Sequence, residues 1–209
     1  MENLKCRTEE LRKEIVEKYY IELINVVNLI GNRTKKSDAG GIIKNRCYEF
    51  ICTSKIDKSK SYITCGKTAG ESLIRLAGIK DVVVFNPFKI ENEGNKQKRG
   101  LKRNNDSKIK WNKTAQELYN AINILEYYWD RTLKGILYEI KKEMEINRDK
   151  EPSLKNIKKV NKCISADRTK LKISEMILKL REKDERFRDF YFKNINNILE
   201  KNNIESYFS

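Results

Sequence analysis

Apolar residues recur at helical spacing from Leu11 through Ile15, Val16, Tyr19, Leu23, Val26 and Val27 to Ile30, which predicts one N-terminal helix closed by Gly31. Thr8 followed by Glu9 and Glu10 suits its start, with a hydroxyl to cap the first amides and acids at the positive end of the helix dipole. Residues 32–46 are turn formers with a Gly40-Gly41 pair and read as a loop. The period then shortens. Residues 47–53 and 61–65 are β-prone, and the polar stretch 55–60 between them closes a predicted hairpin. Thr68 and Glu71 stand three apart, as a capping box requires, and open a short helix over 72–77 that Gly78 stops. Residues 81–85, with three consecutive valines, read as a buried strand ending before Pro87. Residues 47–88 thus predict a compact β-β-α-β unit.

Residues 94–113 carry no apolar period and read as a loop. Thr114 and Glu117 then form a second capping box, opening a long helix with Leu118, Ile122, Leu125, Trp129, Leu133, Ile136, Ile140 and Met144 on one stripe and a bend at Gly135. Pro152 stands at the entrance of the next helix, whose narrow apolar face is Leu154, Ile157, Val160 and Ile164. Residues 171–180 and 187–199 complete a helical C-terminal half. The fold class this predicts is α+β, dominated by helices: an N-terminal helix, a small β-β-α-β unit and a helical C-terminal half. By organisation the chain divides into residues 1–93, a basic loop or linker over 94–113, and a helical domain over 114–209.

Composition narrows the chemistry. Hydrophobic residues make up 39% of the 209 and charged residues 36%, a polar chain that still has enough apolar side chains to build a core. It contains no histidine, which excludes Ser-His-Asp and Cys-His catalysis, imidazole general bases and His-ligated zinc. Five cysteines scattered along the chain do not read as a secreted disulfide framework, and reduced thiols are expected. The first residues lack the apolar run of a secretory signal and no stretch approaches the ~18 apolar residues of a membrane span, so a soluble cytoplasmic protein is expected.

The net charge is +15, and its distribution is more informative than its size. Residues 94–113 hold Lys96, Lys98, Arg99, Lys102, Arg103, Lys108, Lys110 and Lys113 against Asp106 alone. Residues 153–172 hold Lys155, Lys158, Lys159, Lys162, Arg168, Lys170 and Lys172 against Asp167 alone. A lysine-rich coding bias would spread the charge evenly, whereas these two segments concentrate it. Polyanions are the natural partners, since each neutralised phosphate releases condensed counterions. Trp111 beside Lys110 adds an aromatic face for an unpaired base. A solvated face that keeps the chain soluble is the competing reading. A helix-turn-helix is a further one, with residues 153–164, 165–168 and 170–180 as its parts. If selection for an anionic partner shaped both segments, they converge on one face.

Three smaller motifs carry alternative chemistry. Cys47, Cys52 and Cys65 fall in the hairpin region where a zinc ion could staple a small sheet, but they lack a fourth ligand, and Cys47 and Cys52 alternate to opposite faces of a straight strand. The expectation is therefore metal-free thiols, with Cys65 at a helix entrance the most reactive. Gly66, Lys67 and Thr68 are similar to the end of a phosphate-binding loop, but Ser61 stands where that loop needs its first glycine, leaving a generic anion site at a helix start. Glu49, Asp57, Asp81, Glu91 and Glu93 are the acids near strands that a magnesium-dependent nuclease would use. The reading that follows is a non-enzymatic nucleic-acid-binding protein with no cofactor, the alternatives being a protein-interaction adaptor or a Mg2+-dependent nuclease.

Overall fold

The computed structural model describes residues 4–89 and 110–209, which divide into two compact units, Met1–Asn86 and Pro87–Ser209. Among the described residues there are seven helices, a three-stranded antiparallel sheet and a two-stranded one. The fold is α+β and helix-dominated.

In the first unit, α1 (Glu9–Lys18) leads into β1 (Tyr19–Asn28), the short pair β2 (Lys35–Lys36) and β3 (Ile42–Ile43), the hairpin β4 (Arg46–Ser54) and β5 (Lys60–Cys65), and α2 (Lys67–Leu76). The sheet order is β1-β4-β5. Leu4, Cys6 and Ile15 from the N-terminal segment and α1, and Ala69 and Leu73 from α2, meet Val26, Tyr48, Phe50, Cys52, Ile63 and Cys65 from one face of the sheet. Arg12 is buried in the same region, its Nε donating to Ser72 Oγ at 2.9 Å and its Nη1 to the carbonyls of Cys6 and Arg7.

The helix expected up to Ile30 stops at Lys18, and the rest of that apolar run is β1. The register with β4 slips by one residue between the Leu23↔Phe50 and Asn25↔Glu49 pairs. Tyr19, Ile21 and Leu23 face the core before this bulge and Val26 after it. A strand whose inward set jumps from odd to even positions mimics a 3.6-residue period, which is why the spacing reads as helix. The hairpin stands where the sequence places it. Its turn is held by Asp57, whose carboxylate accepts from Ser59 N–H at 3.1 Å and Ser59 Oγ–H at 2.8 Å. Hydrogen bonds from Ser54 and Ser59 hold that carboxyl down at about 2. The capping box at Thr68 is not formed; Gly66 is the N-cap of α2, without a side-chain cap. Residues 81–85 form no strand, so the expected third strand of the β-β-α-β unit is an irregular segment that buries Phe85 and packs Val82 on the core.

The second unit places α3 (Lys113–Trp129) against α4 (Ile136–Ile146), α5 (Leu154–Ser165), α6 (Ile173–Lys183) and α7 (Lys193–Lys201). Because α3 is surrounded, it is buried on nearly every side, including Glu117, Asn123 and Glu126. The single long helix expected through Met144 is two. Asp130 takes a left-handed conformation at φ 50°, Gly135 follows at φ 59°, and α4 restarts at Ile136. Leu133 is buried within the connection, so the apolar stripe runs on although the helix does not. Asn112 caps α3 by accepting from Thr114 N–H and Ala115 N–H. Glu117, expected in a capping box with Thr114, instead reaches α7, where its carboxylate accepts from the N–H groups of Asn194 and Ile195 and from Asn194 Nδ2. Phe187, expected to begin the last helix, precedes α7 and forms an isolated bridge with Phe88. No helix among the described residues is long and apolar enough to cross a membrane.

Candidate nucleic-acid interface

Ser153 caps α5, its Oγ accepting from Asn156 N–H at 3.3 Å. Ile157, Val160 and Ile164 are fully buried and Asn161 nearly so. A helix that buries this stripe must turn the positions half a rotation away to solvent. Those positions are Lys155, Lys158, Lys159 and Lys162, a cationic row spaced i, i+3, i+4, i+7 that spans about 10 Å; all are exposed except the half-buried Lys159. None of the four forms an ion pair among the described residues. All four belong to the basic segment 153–172, and the helix brings Lys158 onto the same side as Lys155, Lys159 and Lys162.

Arg168 and Lys170 lie in the turn that follows α5, both exposed. Lys170 has φ 57° and its Nζ donates to the Ser165 carbonyl at 3.2 Å. Residues 166–172 join α5 to α6, longer than the turn of about three or four residues in a helix-turn-helix, and the first turn of α6 carries Glu175, which accepts from Lys172 N–H. Lys110 is exposed. Trp111 does not offer an open ring: it is half-buried and packs on Tyr119 with centroids 5.1 Å apart. Lys96, Lys98, Arg99, Lys102, Arg103 and Lys108 lie outside the described residues, as does the test of whether the two basic segments converge.

Arg168 borders a cleft of about 740 Å3 where α3 ends, α4 begins and the turn after α5 returns. Tyr128, Trp129, Ile136, Leu137 and Cys163 wall it, and Arg131 and Lys134 join Arg168 as its cations. Asp167 organises this corner. Its Oδ1 accepts from Trp129 Nε1–H at 2.7 Å, and its Oδ2 accepts from the N–H and hydroxyl of Thr169. Partial burial works to raise the Asp167 carboxyl, but these donors outweigh it and hold the group below the usual carboxylate range. The Arg131 guanidinium lies over the Trp129 ring, 4.6 Å from its centroid. Sequence reasoning missed Trp129, Arg131 and Lys134, since a continuous helix scatters them over different faces. The signal that marks them is Asp130 and Gly135, a turn former and a helix breaker bracketing two cations.

The other motifs are not assembled into sites. Gly66, Lys67 and Thr68 open α2, with Lys67 Nζ 4.0 Å from Glu71 Oε1. Cys52 belongs to the core face of β4, and Cys47 alternates to the other. Among the described residues no group of three cysteines or acids is placed to hold a metal ion. Of the acids considered for magnesium, Glu49 is buried with its Oε1 taking a hydrogen bond from Lys35 Nζ at 2.7 Å, Asp57 serves its turn, and Glu91 and Glu93 lie outside the described residues. The expectation that Cys65 is the reactive thiol is overturned: it is fully buried, and its hydrogen bond to Cys6, together with burial, pushes its pKa far up. Burial pushes Cys52 up to about 12.

None of the five cysteines forms a disulfide, and Cys163 alone is not fully buried. Burial raises its thiol too, with Lys162 pulling the other way. Iodoacetamide should therefore alkylate Cys163 first and to one equivalent in the native protein, the other four reacting only after unfolding. Peptide mapping that finds Cys65 modified as fast would contradict this placement.

No family model, curated protein or solved structure matches this chain.

Proposed function

We propose that the protein binds nucleic acid, holding phosphates along the lysine row of α5 and at Arg168 beyond it. The observation that supports this most is the row itself, four lysines on one side of a helix with no carboxylate partner among the described residues. Like charges at i, i+3 and i, i+4 repel by ~0.2–0.5 kcal/mol per pair, a cost that a strand of phosphates converts to attraction while releasing counterions. A cytoplasmic location belongs to the same reading, and five cysteines that form no disulfide support it.

The test is the anisotropy of a labelled oligonucleotide as salt is raised. Replacing Lys155, Lys159 and Lys162 together by Gln removes three phosphate contacts and should flatten the log-log slope by about 2 on a single strand, at ~0.7 per contact. All three point away from the buried stripe, so the helical circular dichroism should stay unchanged. A slope identical to that of the unaltered protein would remove α5 from the interface.

A further inference from the structure

The cleft beside Trp129 differs in kind from the row on α5. The row is open and repetitive, whereas the cleft is concave and about 740 Å3 in volume, within the ~300–1,000 Å3 range of small-molecule sites. A second hollow of about 520 Å3 adjoins it, sharing Trp129, Arg131, Lys134 and Leu137. One wall is aromatic and aliphatic, and three cationic side chains face a single carboxylate. That carboxylate, on Asp167, accepts from Trp129 Nε1–H and from Thr169, so it orients the indole and the turn. A flat apolar wall next to clustered positive charge matches the two halves of a nucleotide, a base with a π-face and a phosphate.

We propose that this cleft receives one unstacked nucleotide of a single strand, its base against Tyr128 and the guanidinium that Arg131 holds over Trp129, and its phosphate at Lys134 and Arg168. The inference rests on the nucleic-acid reading above and deepens it by naming the strand: a base held in a duplex is unavailable until it is unpaired and unstacked, so single strands bind better than duplexes, by roughly tenfold for one stacked base.

Cys163 lines the cleft, so its alkylation rate reports whether the cleft is filled. Anisotropy first establishes saturation with oligothymidylate, oligouridylate and a duplex of the same length, and iodoacetamide is then added to each complex and to the protein in inorganic phosphate. Protection of Cys163 by several-fold with either single strand, and none with the saturating duplex or with phosphate, supports the assignment. Arg131→Gln with Arg168→Gln should abolish both the protection and the preference for single strands, while the Gln variant of the α5 row, at saturating strand, keeps the protection. Strands that bind without slowing alkylation, or a duplex that protects equally, overturn the cleft assignment and leave the α5 reading standing. Absence of binding by every oligonucleotide overturns both.

Discussion

Replacing Gly70 by alanine should destabilise the first unit by about 2 kcal/mol, although alanine is the better helix former by ~1 kcal/mol. Gly70 lies within α2, where the propensity gain applies in full. A Cβ built there would stand 2.3 Å from Cγ of Tyr48 and 2.7 Å from its Cβ and Cδ1, distances that no rotation of a methyl group relieves. The Tyr48 side chain is buried on β4 in the same core cluster as Phe50, Ala69 and Leu73, and its hydroxyl reaches Glu71 Oε1 at 3.5 Å. Either the ring leaves the core or α2 lifts from the sheet. Denaturant unfolding of Gly70→Ala reads the sign directly. A gain in stability would mean that α2 does not pack this closely, and a larger loss in Gly70→Val is expected because its added methyls enter the same space. Tyr48→Ala removes Cγ and Cδ1, two of the three clashing atoms, so Gly70→Ala should cost less in a Tyr48→Ala background than in the unaltered protein.

Glu117→Ala should cost the second unit about 2–4 kcal/mol, more than an ordinary helix cap of ~0.5–2 kcal/mol. Phe192, the N-cap of α7, supplies no side-chain oxygen; the acceptors come from α3, with Ile195 N–H donating to Glu117 Oε2 at 2.9 Å and Asn194 N–H to Oε1 at 3.2 Å. Ile195 is fully buried, so truncation strands its amide away from water as well as removing a charge-assisted bond. Glu117→Gln keeps one acceptor oxygen and should lose about half as much. Equal stability of all three proteins in thermal unfolding would contradict the role given to this carboxylate.

These two sites show what local pattern can and cannot reveal. Gly70 looks like a helix weakness until the strand residue beneath it is known, and Glu117 three positions after Thr114 satisfies a local motif while serving a helix far away in sequence. The hairpin closed by residues 55–60 and the helix that follows Pro152 were legible because their determinants are neighbours in sequence. The helix expected from Thr8 to Ile30 stops at Lys18, and a bulge at Ile24 inside β1 reset the alternation so that the strand kept a helical spacing; the long helix failed at Asp130, where a buried Leu133 preserved the stripe across a break. The candidate site divides the same way. The α5 row follows from the spacing of Lys155, Lys159 and Lys162 on one helix, whereas the cleft depends on Asp167 meeting Trp129 across 38 positions, a pairing that no window of sequence contains.

The nucleic-acid reading is tested most directly by the salt dependence of oligonucleotide affinity. Four lysines on α5, each worth ~0.7 on a single strand, give an expected log-log slope of about −3 or steeper, falling toward −1 when Lys155, Lys159 and Lys162 become Gln. A slope near zero for the unaltered protein, or one that the triple substitution leaves in place, would contradict the account.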